Sequence, residues 1–463
     1  RLGSSMKLNL KPYQDEGVKF LLSRQWAGLF LDMGLGKTVI SLTAISALMA
    51  EGHVKKALIV APIRVLENVW PSEIAKWDTT RHLRFANLNG VKVTPTNPLP
   101  EADIYGINPE SLKALIRNSS FVKVPMQLLV IDESSMFKNA SSLRFRALSN
   151  VLYRYKYRWI LTGTPAPNGL LDVWSQIYLL DRGAALGPNP SHFHKAFCVK
   201  SFDGYGWEVH ESNKEVIYKA IAPLILRMSK DDCLVMPELI KNPIEVTLAK
   251  DDYAMYKTME REFLVMLQSG EQVMSPNAAV AGMRCRQIAN GGLYLPDGRP
   301  EHIHNAKVNA LKEIVEELQG EPLLVFYEFV HDLERIRKVL GPVPSLSDGG
   351  GVKDIVDKFN AGKIPVLVAH GASAGYGLNL QGACSTACWM GVPWDLGMHD
   401  QANARVWRQG QEAKTVTVHY LMAKNTLDYH VFKVLARKDK DQQDLLGALQ
   451  RIAIPDVESQ SIL

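Results

Sequence analysis

The sequence lacks any apolar run approaching the roughly 20 residues that a membrane-spanning helix needs. Its start also lacks the charged, apolar and small-residue order of a signal peptide. We therefore expect an intracellular, cytoplasmic protein with no membrane partner. An excess of one charge is missing as well, because the formal net charge is only +5. A balance this mild does not by itself indicate a nucleic-acid partner.

Cysteine is scarce. The five cysteines are odd in number, scattered, and never spaced C-x-x-C, which argues against a disulfide framework and against a structural zinc site. Two H-x-H pairs could hold a metal, but neither has a nearby cysteine to complete four ligands. The pairs are His192 with His194 and His302 with His304.

What the sequence does have is the glycine-rich heptapeptide DMGLGKT at residues 32–38. It follows the apolar run 28–31 and precedes a helical pattern, and this order of strand, loop and helix is typical of a phosphate-binding loop. The loop backbone can aim N–H groups at a phosphate, and Lys37 adds a full positive charge. Thr38 can bind a magnesium ion through its hydroxyl. The strict pattern has glycine where this chain has Leu31.

A carboxylate pair and an arginine pair accompany the loop. Asp132 and Glu133 end an apolar strand pattern, and phosphate hydrolysis needs one carboxylate to hold magnesium and a neighbour to activate the attacking water. Arg405 and Arg408 are three residues apart, so on a helix they share a face and can stabilise a phosphoryl transition state. A solvated basic face is the alternative, although residues 401–411 include no acidic residue.

Short, nearly continuous apolar runs separated by helix-length segments predict buried parallel sheets. Such runs fall into two series, one before about residue 165 and one after about residue 320. The predicted fold class is α/β, with two tandem lobes built from parallel sheets flanked by helices, and with helical insertions. We place lobe 1 at 6–228 with an irregular insertion at about 181–225, a linker and helical insertion at 229–300, and lobe 2 at 301–450.

Together these motifs resemble, in order and spacing, helicase superfamily two and, within it, the Swi/Snf-type DNA translocases. The resemblance extends from Leu8 to about Ala436. It implies two RecA-like lobes in a compact version similar to prokaryotic or phage members of the family. Besides the loop and the two pairs, it rests on LKPYQ at 10–14, SSMFKN at 134–139, LTGTP at 161–165, LRMSK at 226–230 and GYGLNL at 375–380.

The resemblance also implies the site residues. ATP would contact Gln14, Met33, Gly34, Leu35, Gly36, Lys37, Thr38 and Gly377, and Mg²⁺ would bind Thr38 and Asp132. The catalytic residues would be Glu133, Asp132, Lys37, Arg405 and Arg408. Nucleic acid would contact Pro62, Arg64, Lys138, Thr164, Phe329 and Asn379. The chain departs from the family pattern at Ser135, at Met228 and at residues 370–374.

A basic stretch with interleaved tyrosines follows the carboxylate pair. Residues 134–171 include six cations and no acidic residue. Such a stretch can bind phosphates, or it can be a surface helix with arginines over a hydrophobic body. The six cations are Lys138, Arg144, Arg146, Arg154, Lys156 and Arg158.

The resemblance predicts an ATP-driven translocase on double-stranded DNA, with little base specificity because phosphate contacts carry no sequence information. In a prokaryotic source such a protein would associate with the nucleoid. Two alternatives stay open. One is a strand-separating helicase or an RNA-directed ATPase, and the other is an ATP-switched nucleic-acid clamp or scaffold that hydrolyses slowly.

Overall fold

The protein divides into two compact units in the computed structural model. The structure describes residues 6–91, 94, 98–118, 121, 124–200, 206–234, 236–268, 276–348, 351–374 and 378–453. Unit 1 comprises Arg1–Leu234 together with Lys438–Leu463, and unit 2 comprises Val235–Arg437. Among the described helices, none combines the length and hydrophobicity that crossing a membrane would need.

Unit 1 is built on a seven-stranded parallel sheet. Its strands are β1 (Trp26–Leu31), β2 (Ala57–Val60), β3 (Phe85–Asn87), β4 (Ile104–Ile107), β5 (Leu128–Asp132), β6 (Tyr157–Thr162) and β9 (Ile225–Met228). The strand order is β3-β4-β2-β5-β6-β1-β9, and every neighbouring pair is parallel. Two further strands, β7 (Cys198–Lys200) and β8 (Trp207–Val209), form an antiparallel hairpin.

Helices cover both faces of this sheet. Successive residues of a strand point to opposite faces, so each strand contributes side chains to two core clusters. Leu58 and Leu129 belong to one core cluster, whereas Ile59 and Val130 belong to another. The α-helices of unit 1 are Pro12–Leu22, Lys37–Ala50, Trp70–Lys76, Pro109–Ile116, Leu143–Ser149, Leu171–Asp181, Pro190–Phe197, Lys214–Ile221 and Lys230–Cys233. Shorter helical turns are Val65–Val69, which is π-helical, and the 3₁₀ turns Ser134–Phe137, Leu152–Arg154, Glu211–Asn213 and Ala222–Leu224.

Unit 2 has a five-stranded parallel sheet. Its strands are β10 (Glu238–Val246), β13 (Leu323–Tyr327), β14 (Val366–His370), β15 (Thr386–Trp389) and β16 (Thr415–Ala423), in the order β10-β16-β15-β13-β14. A second antiparallel hairpin joins β11 (Gly292–Tyr294) and β12 (Pro300–His302). The helices are Lys250–Gln268, Pro276–Asn290, Ala306–Glu317, Val330–Leu340, Val352–Asn360, Gly371–Ala374 and Leu396–Asn403.

The last helix, Leu427–Ala453, contributes residues to both units. In unit 1, its residues Leu445 and Leu449 are buried in the same core cluster as Phe145. The predicted limits of the two lobes stay predictions. However, β10 lies inside the range 229–300 that the sequence assigns to a linker, and residues 438–450 group with unit 1 rather than with the second lobe.

The predicted α/β fold with two parallel sheets is confirmed. Residues 181–225, which the sequence predicts to be irregular, contain two helices and the β7–β8 hairpin. Strands of three residues are too short for an alternating pattern to emerge from the sequence.

Candidate nucleotide site

Three strand ends of unit 1 meet at one edge of the sheet and bring the predicted motifs together. The glycine-rich loop follows β1, Asp132 ends β5, and Thr162 ends β6, which lies between those two strands. Because the strands are parallel, their carboxyl ends share one edge, which is where open α/β sheets place their ligands.

The loop has the backbone conformation that its glycines permit. Gly34 and Gly36 have φ angles of 88° and 83°, a region that residues with a Cβ rarely adopt. Gly36 is also the N-cap of the helix Lys37–Ala50. The positive end of the helix dipole therefore points into the loop, and this favours a phosphate there.

Lys37 lies beside the loop and near the carboxylates. Its Nζ donates to the carbonyl oxygen of Leu31 at 2.8 Å and to that of Asp32 at 3.5 Å. Burial lowers the pKa of Lys37, and this is opposed by the nearby carboxylates of Glu133 and Asp132. The structure thus brings together the loop lysine and the carboxylate pair, which are about a hundred residues apart in the sequence.

Gln14 reaches the same loop from the first helix. Its Oε1 accepts the backbone N–H of Lys11 at 3.0 Å, and its Nε2 donates to the carbonyl of Leu35 at 3.4 Å. A Cβ on Gly36 would come within 2.5 Å of that Nε2. The absence of a side chain at Gly36 therefore makes room for the glutamine.

Asp132 is buried at the end of β5. Its Oδ2 accepts the indole N–H of Trp70 at 2.9 Å. Burial raises the pKa of Asp132 to about 6, and the hydrogen bond from Trp70 opposes that rise. Carboxylate and hydroxyl oxygens are the ligands that Mg²⁺ prefers, so Asp132 and Thr38, in the first turn of the loop helix, have the donor chemistry of a magnesium site.

Glu133 is held by one of its two carboxylate oxygens. Its Oε1 accepts the hydroxyl of Ser135 at 2.9 Å and that of Thr162 at 3.0 Å. The backbone at Glu133 is left-handed, with φ of 65°, and strain of this kind at a residue other than glycine clusters at functional sites. Both hydroxyls bond the same oxygen, and no described residue bonds the second oxygen, which is therefore available to a water molecule.

Two residues that the sequence did not assign to the site brace the start of the loop. Arg227, in β9, donates from Nη1 to the carboxylate of Asp32 at 2.6 Å. The other oxygen of Asp32 accepts the backbone N–H of Lys230 at 2.9 Å. The guanidinium is almost fully buried. The LRMSK segment, which gave a family resemblance only, therefore anchors the phosphate loop by an ion pair.

In unit 2 the two arginines of the pair make different contacts. Arg405 is buried and donates to the backbone carbonyls of Gln401 and Leu378, each at 3.1 Å. Burial and the nearby Arg408 lower the pKa of Arg405 to about 10. Arg408 is less buried and donates to the side chain of Asn379. Gly377, predicted to contact the nucleotide, lies outside the described residues.

The residues predicted to contact nucleic acid differ in exposure. Arg64 and Asn379 are exposed, and Pro62 and Lys138 are partly exposed. Thr164 and Phe329 are only 3% and 7% exposed, so this conformation does not favour direct contact through their side chains.

The basic stretch is largely occupied within the protein. Arg158 is buried, and its guanidinium donates to the backbone carbonyls of Leu180 and Leu152. Arg154 donates to the carbonyl of Val124, and Arg144 forms an ion pair with Glu110. For Arg158 the structure therefore favours the alternative interpretation, because its N–H groups are bonded to carbonyl oxygens inside the protein.

Two α/β units with parallel sheets, one with a phosphate loop and a carboxylate pair and the other with paired arginines, are the features of a helicase-like, nucleic-acid-dependent ATPase. The sequence matches the SNF2-related domain over residues 13–291, more than half of the chain. The chain therefore belongs to the SNF2-related family.

The relatives differ in length. The chain is similar to protein p41 of Acyrthosiphon pisum secondary endosymbiont phage 1, with 33% identity over 95% of this chain and 98% of that protein. It is 28% identical to the uncharacterized ATP-dependent helicase MG018 of Mycoplasma genitalium over 93% of this chain, but it spans only 42% of that protein. A solved structure, the Sulfolobus solfataricus SWI2/SNF2 ATPase core in complex with dsDNA, matches 98% of this chain and 97% of that chain, with 26% identity and a TM-score of 0.45.

Proposed function

We propose that the protein is an ATP-driven translocase on double-stranded DNA that hydrolyses ATP to ADP and phosphate. The observation that carries the proposal is the assembly of Lys37, Asp132 and Glu133 at one edge of the first sheet. This arrangement occurs in a chain that belongs to the SNF2-related family.

In the proposed reaction each group of unit 1 has one task. Lys37 neutralises charge on the terminal phosphates, and Gln14 contacts the adenine beside the loop. Thr38 and Asp132 hold Mg²⁺, which when bound neutralises charge on the β- and γ-phosphates. Glu133, fixed through Oε1 by Ser135 and Thr162, uses its second oxygen to orient and deprotonate the attacking water.

For the arginine pair the proposed role is stabilisation of the charge that develops on the transferred phosphoryl group. It is supported by the anchoring of Arg405 to two backbone carbonyls. An arginine in such a role contributes a rate factor on the order of a thousand or more.

The DNA partner is supported by family membership and by two cations, of which Arg64 is exposed and Lys138 partly exposed. Arg64 and Lys138 belong to motifs that follow β2 and β5 at the same sheet edge as the nucleotide site. Cations placed on DNA phosphates release counterions, so binding should weaken steeply with salt. Such cations contact no bases, so DNA binding should depend little on the base sequence of the DNA.

A triplex-displacement assay tests translocation directly. On a blunt duplex that carries a third strand, a translocase displaces the third strand in the presence of ATP and leaves the duplex intact. A strand-separating helicase instead releases single strands from a forked duplex. A clamp that hydrolyses slowly would displace neither. Third-strand displacement that also occurs with Glu133→Gln would contradict the proposal, because that variant should not turn over ATP.

A further inference from the structure

We propose that Trp70 is a positioning residue for Asp132, holding the carboxylate in the orientation in which it binds magnesium. The inference rests on the proposed Mg²⁺-ATP site. Trp70 comes from the start of the helix Trp70–Lys76 and lies 62 residues before Asp132 in the sequence. Neither the loop motif nor the carboxylate motif includes it.

The contact is specific in geometry. The Trp70 side chain is fully buried, and its indole N–H donates to Oδ2 of Asp132 at 2.9 Å. An indole nitrogen is only a donor, so the hydrogen bond occupies one lone pair of the Asp132 carboxylate and asks for no proton on that oxygen. It fixes the plane of the carboxylate, which could otherwise rotate about its terminal torsion.

A fixed carboxylate matters because magnesium demands nearly ideal octahedral geometry. Groups that hydrogen-bond a metal-binding side chain orient it, and removing such a partner typically lowers metal affinity by about 10- to 100-fold. Trp70 therefore acts on the metal through Asp132 without contacting the metal or the nucleotide.

The chain offers a matched control in Trp159. This side chain is also fully buried, it belongs to the same core cluster, and it lies on β6 opposite Val130 of β5. Its indole nitrogen has no hydrogen-bond partner within the described residues. Trp159→Phe thus removes the same side-chain volume as Trp70→Phe, but it removes no bond to Asp132.

The experiment compares nucleotide and metal binding by the full chain and by the two variants. The affinity for a fluorescent ATP analogue is measured with Mg²⁺ and with EDTA, and binding of Mn²⁺ in the presence of ATP is followed by electron paramagnetic resonance. We expect Trp70→Phe to reduce the metal-dependent gain in affinity, and the affinity for Mn²⁺, by about tenfold. Affinity in EDTA should stay unchanged, and Trp159→Phe should behave like the parent protein.

Four outcomes would overturn the inference. If Trp70→Phe keeps the full metal-dependent gain in nucleotide affinity, the indole does not position the Asp132 carboxylate. If Trp159→Phe loses the gain equally, or if Trp70→Phe also loses affinity in EDTA, the effect is one of packing. If the unsubstituted chain binds the analogue no better with Mg²⁺ than with EDTA, the magnesium site itself fails, and with it the nucleotide part of the proposed function.

Discussion

Glu133 has a strained backbone, and one oxygen of its carboxylate accepts two hydrogen bonds. The left-handed φ and the two hydroxyl bonds to Oε1 are found in the same residue. A residue held in this conformation costs on the order of 1–3 kcal/mol, and the surrounding contacts must hold it there. The arrangement is explained if the second oxygen has to face a water molecule in a defined position.

Glu133→Gln should therefore abolish turnover while ATP binding is retained. Loss of a general base typically lowers the rate by about 10²- to 10⁴-fold, whereas the amide keeps the shape of the side chain. Steady-state hydrolysis and equilibrium binding of a fluorescent ATP analogue check this. Glu110→Gln, at a carboxylate that pairs with Arg144, is the control. Turnover near the parent rate would remove Glu133 from the reaction.

Lys37→Ala should weaken nucleotide binding itself. The ammonium lies at the loop, where it donates to the carbonyl of Leu31, and its removal takes away the full positive charge that faces the phosphates. We expect the dissociation constant for ATP to rise at least about tenfold, since a hydrogen bond to a charged group contributes about 1.5–3 kcal/mol. Lys113→Ala, on the helix Pro109–Ile116, serves as the control. Unchanged affinity would contradict the assignment.

At the residue scale, the site residues that could be predicted from the sequence are those that lie in local sequence motifs. Lys37, Asp132 and Glu133 stand in recognisable order beside apolar strands. Trp70, Thr162 and Arg227 were not assigned to the nucleotide site because only the folded sheet brings them to it. A tryptophan in the sequence gives no signal that its N–H will have a carboxylate partner.

Among the elements, β9 braces the phosphate loop through Arg227. This guanidinium also donates to the backbone carbonyls of Phe30 and Met228. The edge strand β9 pairs in parallel with β1, the strand that precedes the loop. The ion pair between Arg227 and Asp32 therefore holds the start of the loop against the edge of the sheet.

Asp32→Asn should destabilise unit 1. Breaking a buried ion pair leaves the guanidinium uncompensated at a cost of about 3–5 kcal/mol. Asp32 itself is about a quarter exposed, so solvent screening reduces the expected loss to roughly 2 kcal/mol. Urea unfolding followed by tryptophan fluorescence measures it. Asp15→Asn, which breaks the exposed pair with Lys19, should leave the midpoint unchanged. Equal midpoints for both variants would show that the brace contributes nothing.

A pH effect is expected from the buried His304. Its Nε2 lies 2.9 Å from the carbonyl of Ile288, and burial lowers the pKa of His304 to about 4. The unfolded chain takes up the proton near the ordinary pKa of about 6.5, so the unfolded state binds more protons between these values. Stability should consequently fall as the pH drops from about 6.5 to about 4, by up to about 3 kcal/mol.

His304→Gln should remove this part of the acid sensitivity, because a neutral amide has no proton to gain. The difference in unfolding free energy between parent and variant, measured at pH 7 and at pH 5, is the observable. His302→Gln, at an exposed histidine, is the matched control. A pH dependence that is identical in all three proteins would contradict the role of His304.

Most strands of the two parallel sheets could be predicted because almost every residue in them is buried and apolar, but the edge strands β3 and β9 were not predicted. The hairpins β7–β8 and β11–β12 could not, since three residues per strand leave no periodic pattern. β10 was missed for a different reason. It is an edge strand whose residues are mostly exposed and which contains Pro243, so it lacks the continuous apolar run of a central strand.

At the scale of the whole molecule, the protein is an SNF2-related ATPase that folds into two compact units. The last helix belongs to both compact units. The sequence predicted the two lobes but not the return of residues 438–453 to the first. An amphipathic helix at the end of a chain gives no signal of which core it joins.

Substitution of the two arginines of unit 2 should affect turnover and thermal stability differently. Arg405 is buried and bonded to backbone carbonyls, so Arg405→Ala should lower both turnover and thermal stability, since it leaves those carbonyls unpaired. Arg408→Ala should lower turnover with a smaller change in stability. Hydrolysis assays and thermal melts distinguish the two. Full turnover in both variants would show that the pair has no part in the reaction.

The most direct test of the central claim is ATP hydrolysis with and without duplex DNA, with single-stranded RNA as the comparison. We predict that duplex DNA of any sequence stimulates hydrolysis, that the stimulation weakens steeply as salt rises, and that RNA stimulates much less. Hydrolysis that responds to single-stranded RNA and not to duplex DNA would contradict the account of a double-stranded DNA translocase.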